Sequence, residues 1–128
     1  MSDTVTRNIR IIVKPRFVAE QSDPGAGHYL FAYHITIRNE GTDTVQLLSR
    51  HWVITNGEGH VEEVRGPGVV GYQPVLAPGE EFQYTSGCPL GTPVGTMHGE
   101  FNMIVSDSQQ RFDARIEPFR LAVPTALN

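Results

Sequence analysis

The sequence predicts an all-β fold of two packed antiparallel sheets, and three observations carry that prediction. Apolar residues recur with a period of two in segment after segment, the pattern of half-buried strands. Turn-forming residues break the chain at short intervals, at Asp23-Pro24-Gly25, Asn39-Glu40-Gly41, Asn56-Gly57, Pro78-Gly79, Cys88-Pro89 and Ser106-Asp107-Ser108. No stretch shows the 3.6-residue periodicity of a helix.

The strands follow in order. Ile9, Ile11 and Val13 alternate with Arg10 and Lys14 in the first. The clearest is Tyr29 to Ile37, where Tyr29, Phe31, Tyr33, Ile35 and Ile37 share one face and Ala32, His34 and Thr36 the other. Val45 to Thr55 is apolar on both faces, which predicts cover on both sides or a bulge. Asn56-Gly57 turns the chain into a strand over His60 to Val64. Phe82 and Tyr84 alternate with Glu81, Gln83 and Thr85. Met97, Gly99, Phe101, Met103 and Val105 form one face of the next strand, and Phe112, Ala114 and Ile116 one face of the last. Pro118 lacks an N–H for a sheet ladder, so it belongs at an edge or a bulge.

About seven or eight strands are too many for one flat sheet in so short a chain, and two sheets would bury the aromatic faces. The expected architecture is an antiparallel sandwich of the fibronectin type III or immunoglobulin-like kind, with Trp52 in its core. The expected core is Ile11, Phe31, Tyr33, Ile35, Trp52, Phe82, Met97, Phe101, Met103 and Ile116.

The 128 residues suit a single domain spanning 1–128. Hydrophobic residues make up 39% and charged residues 19%, the balance of a soluble globular protein. The net charge of −4 lacks the basic footprint of nucleic-acid binding, so no nucleic-acid partner is expected. No apolar run approaches the roughly 20 residues of a membrane span. Met1-Ser2-Asp3-Thr4 has neither a basic leader nor an apolar stretch. The single cysteine, Cys88, permits no intrachain disulfide and agrees with a reducing compartment. The expected setting is the cytoplasm, away from membranes.

Several patterns invite a chemical reading. Gly66-Pro67-Gly68-Val69-Val70-Gly71 fits G-x-G-x-x-G, which binds dinucleotides when a strand enters it and a helix leaves it. Here Tyr72-Gln73-Pro74 and Pro78-Gly79 leave no room for that helix, so an exposed loop shaped by glycines is the expectation. The histidines His28, His34, His51, His60 and His98 form no zinc or metalloprotease motif. The adjacent pairs Glu62-Glu63 and Glu80-Glu81 point to opposite faces of a strand and make poor paired acids. Cys88, in a Gly-Cys-Pro loop, has no evident base to activate it. Ser49-Arg50-His51-Trp52 reads either as a core tryptophan with an arginine at the rim or as an exposed recognition patch.

Five blocks in order carry a family resemblance: Phe31 to Asn39, Leu48 to Thr55, Val64 to Pro74, Pro78 to Ser86, and Gly95 to Gly99. Together they closely resemble the ApaG family of small bacterial proteins, whose related domains occur in eukaryotic F-box and polymerase-interacting proteins. The resemblance implies a fibronectin type III-like sandwich and a genetic association with cobalt and magnesium resistance or efflux. It implies no enzymatic activity and no cofactor. Modular use inside larger proteins points to protein–protein interaction.

The leading expectation is therefore a non-enzymatic interaction module with no catalytic or metal site. Its candidate partner-binding surface comprises Arg50, Arg65, Gly66, Gly68, Gly71 and Tyr72. The alternative is a soluble metal-responsive factor in which histidines and carboxylates converge on Mg²⁺ or Co²⁺. A third reading, nucleotide binding by Gly66–Gly71, requires a helix after Gly71. Exposed edge strands would permit dimerisation by strand pairing.

Overall fold

Nine strands build the protein in the computed structural model, which describes residues 1–127. They are β1 (Ser2–Thr6), β2 (Ile9–Phe17), β3 (Tyr29–Asn39), β4 (Val45–Asn56), β5 (Val61–Pro67), β6 (Val75–Leu76), β7 (Glu81–Leu90), β8 (Val94–Val105) and β9 (Arg111–Ala122). One sheet has the order β1-β2-β3-β7, the other β5-β4-β8-β9, and β6 pairs with the start of β4 on the flank that β5 occupies further along. All the strand pairs are antiparallel, giving the two-sheet sandwich that the alternation predicts.

The core lies where the inward faces meet. Ile11, Phe31, Tyr33, Ile35, Trp52, Met97, Phe101, Met103 and Ile116 are all buried in it. Phe82 is the exception; it sits partly buried at the margin, on the outermost strand of its sheet. Trp52 bridges the two sheets. Its ring lies 5.4 Å from that of Tyr33, 6.1 Å from Phe101 and 6.0 Å from Phe119, edge to face in each case.

Two bulges explain the irregular strands. Leu47 pairs with Met103 and Ser49 with Asn102, so Leu48 is an extra residue in β4. An extra residue reverses which side chains face inward. Val45 and Leu47 are buried before it and Trp52 after it, hence the mixed faces of Val45 to Thr55. Likewise Met97 pairs with Phe119 and Gly99 with Ile116, leaving Glu117 and Pro118 opposite one residue of β8. Pro118 thus lies in a bulge of an edge strand, where no ladder bond is lost.

Three expectations need correction. β1 and β6 carry no clear alternation and were not anticipated. The inward positions of β1 are Ser2, Thr4 and Thr6, and the two threonines face a neighbouring backbone: the N–H of Arg115 donates to Thr6 Oγ1 and that of Glu117 to Thr4 Oγ1, each at 3.1 Å. These bonds close one side of the sandwich, between β1 and β9. Cys88-Pro89 is not a turn, because β7 runs through both to Leu90 and tolerates Pro89 on its unpaired side. Gly66 is not in a loop; it lies within β5, paired with Arg50.

Candidate functional site

The segment Gly66–Gly71 is set by the bulge in β4. Leaving β5, the chain crosses the bulge and returns as β6. The Leu48 carbonyl accepts the Gly68 N–H at 2.9 Å and the Gln73 side-chain amide at 2.9 Å. Leu47 N–H donates to the Pro74 carbonyl at 3.0 Å. Arg50 reaches across β5 from the inward face, and its Nη1 donates to the carbonyls of Pro67 and Gly68, both at 3.0 Å. Gly66 makes room for it: a Cβ there would lie 2.9 Å from Arg50 Nη2. Gly68 is required twice over, by its φ of 61° and because a Cβ would stand 2.3 Å from the Tyr72 carbonyl oxygen.

What this scaffold presents is a tight turn. Val69 and Tyr72 exchange backbone hydrogen bonds, 2.8 Å each way, and the residues between them both have positive φ, 43° at Val70 and 85° at Gly71. That is the mirror-image turn of two-residue hairpins, which favours Asn and Gly. Val69 points into the core. Val70, a β-branched residue in a left-handed conformation, carries a backbone cost of order 1–3 kcal/mol and stays 50% exposed. Tyr72 is 62% exposed, its ring 6.0 Å from that of Phe82.

The helix required for nucleotide binding is absent from this place. After Gly71 the chain passes through Tyr72-Gln73-Pro74 into β6, so no helix N-terminus faces the glycines. Of the six candidate residues, Tyr72 and Gly71 lie in the exposed turn, Gly68 at its base, and Gly66 and Arg50 beneath it. Arg65 stands apart on the outer face of β5, with Glu63 Oε1 3.6 Å away. Of the two readings of Ser49-Arg50-His51-Trp52, the core tryptophan with a rim arginine is the one the structure adopts.

His51 has a role that sequence reasoning missed. It lies on the outer face of β4 between β5 and β8, its side chain 16% exposed. Nδ1–H donates to Glu100 Oε1 and Nε2–H to Glu63 Oε1, each at 2.7 Å. Two carboxylate acceptors require two N–H donors, so the imidazolium is the matched form. The hydrogen bond to Glu100, then that to Glu63, holds the His51 pKa above its usual 6.5. The bond from His51 in turn holds the Glu63 carboxyl below its usual 4.5. His51, Arg65, Glu100, Asn102 and Asp113 line a shallow trough of about 550 Å³ on this face.

A pH dependence follows. The raised His51 pKa contributes stability that is complete below pH 6.5 and is lost as pH rises through the folded-state value. The lowered Glu63 pKa contributes stability that is present above pH 4.5 and is lost as pH falls through its folded-state value. Urea-unfolding midpoints should therefore decline on the alkaline side of 6.5, and His51→Gln should flatten that decline. Equal slopes in both proteins would remove His51 from this role.

The other histidines are dispersed. His34 bonds Thr85 Oγ1 at 2.8 Å and Gln83 Oε1 at 3.1 Å on the outer face of the other sheet. His28 closes a small bridge with Asp23, and His98 lies on β8. Among the described residues, no three or more His, Cys, Asp or Glu side chains form a group able to hold a metal ion. Cys88 is buried, and burial pushes its thiol up to about 11, well away from a reactive thiolate. No helix among the described residues is long and apolar enough to cross a membrane.

Fold and site together define a class: an antiparallel β-sandwich that carries, over a bulge, a clamped turn with an apolar tip. Residues 19–105 match the family model of the ApaG domain, and the chain belongs to that family. It is 56% identical to protein ApaG of Azoarcus sp. over all of both chains, and 54% identical to protein ApaG of Acidithiobacillus ferrooxidans, again over all of both. A crystal structure of a Bordetella pertussis protein called ApaA superposes with a TM-score of 0.88 at 52% identity, over 91% of this chain and 94% of that one.

Proposed function

We propose that this protein is a non-enzymatic protein-interaction module of the cytoplasm that meets its partner through the Val69–Tyr72 turn, with Arg65 at the flank. The observation that carries the reading is the turn itself. A sequence that keeps valine where glycine or asparagine would relieve the backbone retains a strained tip, and strain of this kind is maintained where a side chain has to be displayed. The displayed groups are Val70 and Tyr72, and tyrosine is one of the residue types enriched in binding hot spots. Gly66, Gly68 and Arg50 act beneath the surface, holding the turn in place. The buried thiol is not a ready nucleophile, and both ring nitrogens of His51 are already taken up by carboxylates, which favours binding over catalysis.

The test places a photo-crosslinking amino acid at Val70 in living cells, with a control at Lys14 on the far sheet. A discrete crosslinked partner is expected from Val70 alone. Tyr72→Ala with Arg65→Ala should reduce its yield about tenfold or more, the size of a lost hot spot. An undiminished yield in the double variant would reject this surface.

A further inference from the structure

The two open sides of the sandwich are treated differently. On one, threonine hydroxyls of β1 cap backbone N–H groups of β9. On the other, β7 has β3 on one flank and no strand on its other flank among the described residues. The ladder shows which groups this leaves free. Asn39 N–H donates to the Glu80 carbonyl at 2.9 Å, and the same register continues as Ile37 to Phe82 and Ile35 to Tyr84. Even-numbered residues of β7 therefore direct their backbone groups to β3, and Glu81, Gln83, Thr85 and Gly87 direct theirs outward.

We propose that the free edge of β7 takes up an extended segment of a partner protein that carries basic side chains alternating with aliphatic ones. This gives the partner of the proposed interaction module a chemistry, and it rests on that reading. Three features define the occupant. The ten-residue edge runs between two hollows of about 310 Å³ each. One is bounded by Tyr72, Val75 and Phe82, with Tyr72 and Val75 62% and 55% exposed. The other is bounded by Ile54, Val61 and Leu90. An added strand projects every second side chain to the same face, so aliphatic residues at its two ends meet these hollows. Both ends also carry carboxylates, Glu80 and Glu81 beside the first hollow, Glu81 shared with Arg38 at 3.2 Å, and Glu62 beside the second.

The same charges disfavour a second copy as the occupant. Antiparallel pairing of two β7 edges would bring Glu80 and Glu81 of one copy towards Glu62 of the other, a like-charge apposition. The middle of the edge, Gln83, Thr85 and Gly87, carries no charge and no proline, and the protection it has lies at its ends, in Glu81 and Pro89. Its neighbour β5 presents Glu63, Arg65 and Pro67 along its own free edge, so it is protected through its middle as well.

The experiment uses the full-length protein and a capped synthetic peptide of alternating Lys and Val, about as long as the edge. Amide hydrogen exchange is followed residue by residue, with a Glu/Val peptide of the same pattern as control. Saturable slowing of exchange, about fivefold or more, is expected at Gln83, Thr85 and Gly87 with the Lys/Val peptide alone. Glu80→Lys with Glu81→Lys, both at the surface, should weaken that binding about tenfold. Four results would overturn the proposal: no slowing at millimolar peptide, slowing confined to β5, equal binding of the Glu/Val peptide, or concentration-dependent protection of the same amides with no peptide present. The readout is on β7 amides, so a failure here leaves the crosslinking result at the Val69–Tyr72 turn standing, and the reverse also holds.

Discussion

Gly99→Ala should be the most damaging single-methyl change in the molecule. At this position β8 and β4 run so close that a Cβ would lie 1.9 Å from the His51 carbonyl oxygen and 3.2 Å from the Trp52 Cα. The obstruction is backbone, so no side-chain rotation relieves it. The strands would have to part beside the bulge that Pro118 occupies, loosening the pairing of β8 with both its neighbours. Overpacking of a well-filled interior costs about 1–3 kcal/mol, and separating paired backbone adds to that, so a loss of about 3 kcal/mol or more is expected in urea unfolding. Gly91→Ala is the matched control, since a Cβ there meets nothing. A Gly99→Ala protein within about 1 kcal/mol of the parent would mean that the two backbones do not pass this closely.

Trp52→Ala should come second, with a loss of about 3–5 kcal/mol. Trp52 is 2% exposed and touches rings from both sheets, Tyr33 from one and Phe101 and Phe119 from the other. Truncation opens a cavity where an aromatic cluster joins the two layers. Because small domains hold about 5–15 kcal/mol in total, the variant should be marginally stable and unfold at far lower urea. Trp52→Phe keeps most of the contact and should lose less than half as much. The chain has a single tryptophan, so the parent's own fluorescence reports the unfolding of this cluster, and circular dichroism follows the variants. An unchanged midpoint for Trp52→Ala would place the inter-sheet contact elsewhere.

How far the sequence could be read depended on parity. In β3 and in β8, every second residue faces the core from end to end, and alternation alone places Phe31, Tyr33, Ile35, Phe101 and Met103 correctly. Where a bulge reverses parity, alternation leaves two readings open, and β4 is the instance. The mixed faces of Val45 to Thr55 signalled an irregularity, but nothing local located it at Leu48. β1 was invisible for a different reason: its inward residues are a serine and two threonines, the threonines satisfying another strand's backbone, so no hydrophobic signal marks it.

The candidate site shows the same division. Glycine and proline spacing marked Gly66 to Pro74 as special and argued correctly against a helix after Gly71. That Arg50 would hold this segment from below depends on the pairing of Arg50 with Gly66. A two-residue turn at Asn56-Gly57 would have paired Thr55 with Glu58. Instead Asn56 Oδ1 accepts the N–H groups of Glu58 and His60, Gly59 takes a φ of 84°, and Asn56 N–H bonds the His60 carbonyl. The odd-numbered shift in register changes which side chains of β5 share a face with His51. The contact of His51 with Glu63 follows from that shift and the contact with Glu100 from the β4–β8 register, and both are out of reach of a motif search.

By itself, then, the sequence determined the all-β class, the sandwich, most of the core and the family, because burial on one face of a strand is written locally as alternation and the family blocks are contiguous. Tertiary structure alone decided where the bulge in β4 falls, the closed and open sides of the sandwich, the strained tip at Val70 and the carboxylate clasp on His51. Each of these depends on which residue of one strand lies opposite which residue of another, and register is a relation between distant segments that no local pattern encodes.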